Sequence, residues 1–208
     1  MNEIVQHIRS SCFECGEDVF PLEYLLKNIP FDRNGFCIEL GVHKGYTINL
    51  IARYLFFNNL IHGFDSFEGL PDEWNDGAYT YPKGFFTTYG NMPYVHSNIT
   101  LHKGWFDETL PVFKRDILKD SPIALLHVDC DLYSSTKTAF DVLGDNIVPG
   151  TVIVFDELWN YPEFDKHEIL AFHEYLTRKG YWFEPLVVRS VVEKPLCNKE
   201  VAVRIIIK

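Results

Sequence analysis

The chain has little that would send it to a membrane or to a nucleic acid. No apolar run is long enough to span a bilayer, and no basic stretch precedes an apolar one near the N-terminus. Lysine and arginine total 19 against 29 aspartates and glutamates, for a net charge of −10 and a pI near 5.2. A polyanion binder needs a basic face, so nucleic acid is excluded as an expected partner. The five cysteines are odd in number, and Cys12 and Cys15 form a lone C-x-x-C without a second pair, which reads as two incidental thiols. Internal repeats and low-complexity tracts are absent. These absences point to a soluble cytoplasmic protein without a membrane association.

What is present is a globular composition, 47% hydrophobic and 23% charged over 208 residues, enough for one domain with a small appendage. Leu22, Leu25, Leu26 and Ile29 recur at helical spacing after Pro21, so residues 1–30 form an expected N-terminal helical segment. From there strands and helices alternate. Strands are expected at 35–40, 60–65, 98–104, 123–129 and 151–157, with helices at 46–57, 108–118 (capped by Asp107), 134–147 and 166–180 between or after them. Two further strands, 181–188 and 200–208, have no helix between them and are paired antiparallel. The expected fold is α/β: a seven-stranded, mostly parallel Rossmann-like sheet, helices on both faces and an antiparallel last strand, over 31–208. Residues 66–97 are long, irregular and aromatic, and read as a lid-like insertion.

Parallel sheets bind ligands beyond the C-terminal ends of their strands. Glu39, Asp65, Asp129, Asp156 and Glu157 all fall at such ends. In "ELGVHKGYT" (39–47), Gly41 and Gly45 sit between a strand and a helix, where backbone can approach a ligand. The G-x-G-x-x-G of dinucleotide enzymes is missing, and an acid suited to an ammonium group stands at the strand end instead. Asp65 ends the next strand, where a carboxylate commonly takes ribose hydroxyls. A nucleoside carrying an amino acid satisfies both, which is S-adenosylmethionine. Asp129, Asp156 and Glu157 make an oxygen-only set suited to Mg²⁺. Asp131 is assigned to capping the next helix, and His127 to the core. His167 and His173, six apart, lack the spacing of a helical metal pair.

Four motifs in order, "GFDSFEGLP" (63–71), "KGWFDETLP" (103–111), "LLHVDCDLYSSTKTA" (125–139) and "VPGTVIVFDELWNYP" (148–162), resemble the macrocin O-methyltransferase family of class I S-adenosylmethionine-dependent methyltransferases. The resemblance runs from about Glu39 to Glu174. It implies S-adenosylmethionine held by Glu39, Gly41, Val42, Gly45, Thr47, Asp65, Ser66, Gly104 and Trp105, and Mg²⁺ held by Asp129, Asp156 and Glu157. Asp129 is then also the catalytic residue, and the acceptor is a hydroxyl of a sugar or other small natural product. The family is often oligomeric, and the resemblance leaves open whether this chain forms a homo-oligomer. Two other readings compete. The Asp129-Cys130-Asp131 triplet also fits the D-x-D of a metal-dependent glycosyltransferase, and a donor-binding protein without activity is a third.

Overall fold

The computed structural model describes residues 1–16, 18–58, 60–189 and 199–208. Residues 17, 59 and 190–198, which fall inside the expected segments, lie outside the described residues.

The sheet begins with a buried apolar stretch. All five residues of β2 (Phe36–Leu40) are buried, as are all six of β7 (Ile123–Val128) and all four of β8 (Val152–Phe155). Strands covered on both faces read as continuous apolar runs, and side-chain alternation then divides each run between two cores. Phe36, Ile38 and Leu40 of β2, with Ile153 and Phe155 of β8, enter one core with helices α1 (Asn2–Ser11), α4 (Phe106–Phe113), α5 (Tyr133–Leu143) and α6 (Glu168–Lys179). Cys37, Leu125, Val152 and Val154 enter the other, under α2 (Pro21–Asn28) and α3 (Tyr46–Tyr54).

With β1 (Phe13–Glu14), β3 (Ile61–Asp65), β6 (Ile99–Lys103), β9 (Tyr181–Val188) and β10 (Val201–Ile207), the strand order is β1-β9-β10-β8-β7-β2-β3-β6. β2 pairs in parallel with both β3 and β7, while β10 runs antiparallel to β8 and β9. The chain first builds outward from β2 through β3 to β6, then crosses back to place β7 on the other side. The ends of β2 and β7 therefore flank the switch point where such sheets bind ligands.

The sheet has eight strands where seven are expected. The extra one is β1, which divides the expected N-terminal helical segment into α1 and α2 and pairs in parallel with β9. The edge of β9 offers unpaired backbone groups, and Phe13 and Glu14 satisfy them despite lying between two helical patterns. A second small sheet, the hairpin of β4 (Trp74–Asn75) and β5 (Thr80–Tyr81), lies within 66–97. The helix expected from Asp107 starts at Phe106 with Trp105 in the capping position, and no side chain caps it. Gly180, in left-handed conformation, ends α6 as expected. Among the described residues no helix is long and apolar enough to cross a membrane.

Candidate active site

The turn after β2 packs against the end of β7. Gly41 has φ +91°, and a Cβ there would lie 1.7 Å from the Asp129 carbonyl oxygen. Its glycine is required by this backbone crossing. Gly45, at φ +78°, precedes α3. Between them the turn is held by Asp65 at the end of β3. Its Oδ2 accepts N–H groups from Val42 (2.9 Å) and His43 (2.7 Å), and its Oδ1 accepts that of Phe67 (2.6 Å). The carbonyl of Asp65 accepts the Gly104 N–H, which brings the loop before α4 alongside.

A cleft of about 570 Å³ opens over these turns. On one side its wall carries Gly41, His43, Asp65, Ser66, Gly104 and Trp105; on the other, Asp129, Cys130, Asp131, Asp156 and Glu157, with Ser134, Ser135 and Thr138 of α5. Gly69, Leu70, Pro71 and Phe86 from the 66–97 segment close the mouth. Of the residues expected at the donor, Gly41, Asp65, Ser66, Gly104 and Trp105 line the cleft, whereas Glu39, Val42, Gly45 and Thr47 do not.

Glu39 lies wholly buried beneath the wall. Its Oε1 accepts the Thr47 hydroxyl (3.1 Å) and its Oε2 faces His127 Nδ1 at 3.0 Å. The expected direct link to an ammonium group is therefore not what its position provides; both oxygens are engaged inside the sheet. Burial raises the Glu39 carboxyl, with the hydrogen bond to His127 opposing. For His127 burial acts downward, yet the bond to Glu39 carries the net shift upward.

The acids of β7 and β8 converge as strand adjacency requires. Two sets place one ligand atom per residue within 4.8 Å of one another: His127 with Asp129 and Asp156, and Asp129 with Asp131 and Glu157. The expected trio is split between them, with Asp129 common to both. Asp131 corrects its expected role. Leu132 precedes α5 without a side-chain cap, and Asp131, at φ +62°, is buried on the cleft wall. The left-handed backbone turns its carboxylate inward, which no local pattern announces.

Crowding shows in every one of these groups. Asp129 and Glu157 are held well above the usual carboxylate range by burial and by Asp156. Asp156 is raised, chiefly by burial, and Asp131 is pushed up to about 7 by burial and the nearby Asp156 charge. Glu157 Oε2 is buried with no hydrogen-bond partner. Several carboxylates sharing one pocket cannot all ionise unless a cation joins them, and the donor set is oxygen-rich. These residues fit a hard divalent ion.

Glu168 belongs to the site without any sequence signal. An acid in the first turn of a helix reads as a dipole partner, so nothing local distinguishes it. It is 0% exposed, its Oε1 accepts the Cys130 thiol at 4.0 Å, its Oε2 is buried without a hydrogen-bond partner, and burial with the charges of Asp131 and Asp156 holds its carboxyl well above the usual range. Of the histidines near the cleft, His43 lines it, while His102 pairs with His62 at 3.0 Å away from it.

An open, mostly parallel sheet with a cleft at its switch point, walled by backbone turns on one side and carboxylates on the other, defines a doubly wound α/β protein with a ligand site at its strand ends. The model of the methyltransferase domain family matches residues 38–158, and the chain belongs to that family. This removes the glycosyltransferase reading. No curated protein matches the chain. Among solved structures, the calicheamicin methyltransferase CalS11 is 24% identical, covering 86% of this chain and 74% of that one, with a TM-score of 0.59. The O-methyltransferase NovP is 20% identical over 98% of this chain and 78% of its own, at 0.57. An O-methyltransferase from Bacillus cereus in complex with SAH is 15% identical over 99% and 89%, at 0.55. At these identities the likeness establishes the fold.

Proposed function

We propose that this chain is an S-adenosylmethionine-dependent O-methyltransferase of the macrocin type, acting on a hydroxyl of a sugar or similar small acceptor with the aid of Mg²⁺. The observation that carries the reading is the two-sided cleft. The Asp65-braced turn, Ser66, Gly104 and Trp105 form a nucleoside-sized end, and the acids after β7 and β8 form the other. CalS11, NovP and the Bacillus cereus enzyme are named as methyltransferases or O-methyltransferases, which agrees with oxygen as the acceptor atom.

On this reading Gly41, Asp65, Ser66, Gly104 and Trp105 seat the donor, and Glu39, with Thr47, Val42 and Gly45, shapes that seat from beneath. Asp129, with acids from among Asp131, Asp156 and Glu157, would hold the ion, which when bound would supply positive charge that makes the acceptor hydroxyl more acidic. The hydroxyl proton leaves to a carboxylate of this set as the oxygen takes the methyl group and the sulfonium becomes a neutral thioether. Alignment of oxygen, methyl and sulfur is the chain's main task, and positioning of this kind supplies up to about 7–11 kcal/mol. Ser134, Ser135 and Thr138 offer hydroxyls to a polar acceptor. Residues 66–97 act as a lid over the 31–208 domain, with 1–30 bracing the sheet. A dry, closed cleft favours the loss of charge at sulfur.

Calorimetric titration with S-adenosylhomocysteine tests the donor. Saturable binding at one site is expected, and its absence in folded protein sinks the assignment. Asp129→Asn should retain that binding and lose methyl transfer to a panel of catechols and nucleotide sugars on which the unaltered chain is active.

A further inference from the structure

One imidazole stands below the acidic rim where the carboxylates meet. In the parallel sheet, His127 of β7 is in register with Glu39 of β2 on one side and Val154 of β8 on the other. Side chains alternate along a strand, so residues two further on share the same face. That next row is Gly41, Asp129 and Asp156. Asp129 therefore follows His127 on the same face, Asp156 follows the neighbouring Val154, and Gly41, which follows Glu39, adds no side chain to the row. The ligand atoms of the three lie within 4.8 Å of one another, close enough to surround a single ion.

The other side of the ring is already committed. His127 Nδ1 lies 3.0 Å from Glu39 Oε2, and Glu39 is anchored by the Thr47 hydroxyl. A carboxylate accepts, so Nδ1 donates to Glu39 and Nε2 is the nitrogen left with a lone pair for an ion. A carboxylate that orients an imidazole whose far nitrogen faces a ligand cluster is the arrangement that metal-binding histidines use. Core burial alone does not require it. A histidine packed in a sheet needs one hydrogen bond at Nδ1, and nothing in that role places two further carboxylates within reach of the same ring.

We propose that His127 is a nitrogen ligand of the divalent-ion site, which is formed by His127, Asp129 and Asp156 with Glu39 orienting the ring, and that the site takes a first-row transition ion of the Mn²⁺ kind. The inference rests on the reading of the cleft as an ion site. One nitrogen and two carboxylates suit Mn²⁺, Fe²⁺ or Co²⁺, whereas Mg²⁺ favours oxygen throughout. The competing set, Asp129 with Asp131 and Glu157, contains oxygen alone. The two sets share Asp129 and differ in the one atom type that spectroscopy distinguishes.

Mn²⁺ is titrated into the full chain and followed by electron paramagnetic resonance, then the bound ion is examined by pulsed methods for coupling to nitrogen. The expected result is one bound Mn²⁺ with ¹⁴N modulation. It should vanish in His127→Gln, with Mn²⁺ affinity weakened about tenfold or more, the scale on which ligand-orienting groups act. It should persist in His43→Gln, which alters the histidine that lines the cleft. Labelling wild-type protein with ¹⁵N-histidine should convert the ¹⁴N pattern to ¹⁵N, so the test stands even if His127→Gln does not fold. Bound Mn²⁺ with no nitrogen coupling overturns the inference and leaves the oxygen-only set and the proposed function in place. Failure of Mn²⁺ and Mg²⁺ alike to bind overturns both this inference and the ion's part in that function.

Discussion

Gly41 and Asp129 touch backbone to backbone. A single added carbon at 41 would fall 1.7 Å from the Asp129 carbonyl oxygen. The contact joins the donor end of the cleft to its acidic end without any side chain, so the distance between the two is set by main-chain packing.

Gly41→Ala should therefore be far more damaging than its size suggests. The left-handed backbone costs an alanine about 1–2 kcal/mol, and relieving the overlap must also displace Asp129. A loss of about 3 kcal/mol or more in urea unfolding is expected, with loss of Mn²⁺ binding in whatever protein folds. Gly180→Ala is the control. It has φ +65° and meets nothing within 4 Å, so only the backbone cost of about 1 kcal/mol applies. Equal effects at the two positions would contradict the close approach.

His62 makes the protein sensitive to mild acid. It is buried between Phe36 and Phe113, beside His102, and burial followed by the His102 charge depresses its pKa from 6.5 to about 4. The unfolded chain therefore binds a proton that the folded chain refuses between pH 6.5 and about 4. Stability is fully present above 6.5 and falls by about 1.4 kcal/mol per unit below it. His62→Phe removes the group while keeping an aromatic ring. Between pH 7 and pH 5 wild-type should lose about 2 kcal/mol more than the variant in denaturant titrations. Parallel losses would show that His62 titrates normally.

Lys199 pins the tip of the 66–97 segment. Its ammonium group lies 3.3 Å from Asp76, 4.6 Å from the centre of the Tyr161 ring and 5.3 Å from that of Trp74. From Trp74 the rings continue through Tyr81 (4.7 Å) and Phe86 (5.9 Å) to the cleft wall. Lys199→Met leaves the buried Asp76 carboxylate without its cation, at a cost of about 1–3 kcal/mol. The effect should be local, with amide exchange at Ala78 and Tyr79 faster by about tenfold or more while the sheet stays protected. Unchanged exchange at these amides would remove the anchor.

Particular residues show how much of the site is legible in the chain. The acids at 65, 129, 156 and 157 are legible because a strand's end is marked by its own apolar run and by the polar turn that succeeds it. Gly180 is legible because a helix that stops needs a left-handed residue. Asp131 reads as a cap because capping is the commonest use of an acid before a helix, and its inward turn depends on a φ of +62° that Asp tolerates and local sequence does not dictate. β1 leaves no pattern because two extended residues are too few for any periodicity, and only the open edge of β9 gives them a partner. Glu168 leaves none because its neighbours Cys130, Asp131 and Asp156 are brought to it only by the fold.

By itself the sequence determined the alternation of strands and helices, the burial of the central strands and the acids that end them, because these are written in local periodicity and chain order. The tertiary structure decided which strands lie side by side. It thereby set Glu39 against His127, and His127 beneath Asp129 and Asp156. Lateral neighbours in a parallel sheet are chosen by the packing of crossover helices far apart in the chain, and no short window of residues carries that choice.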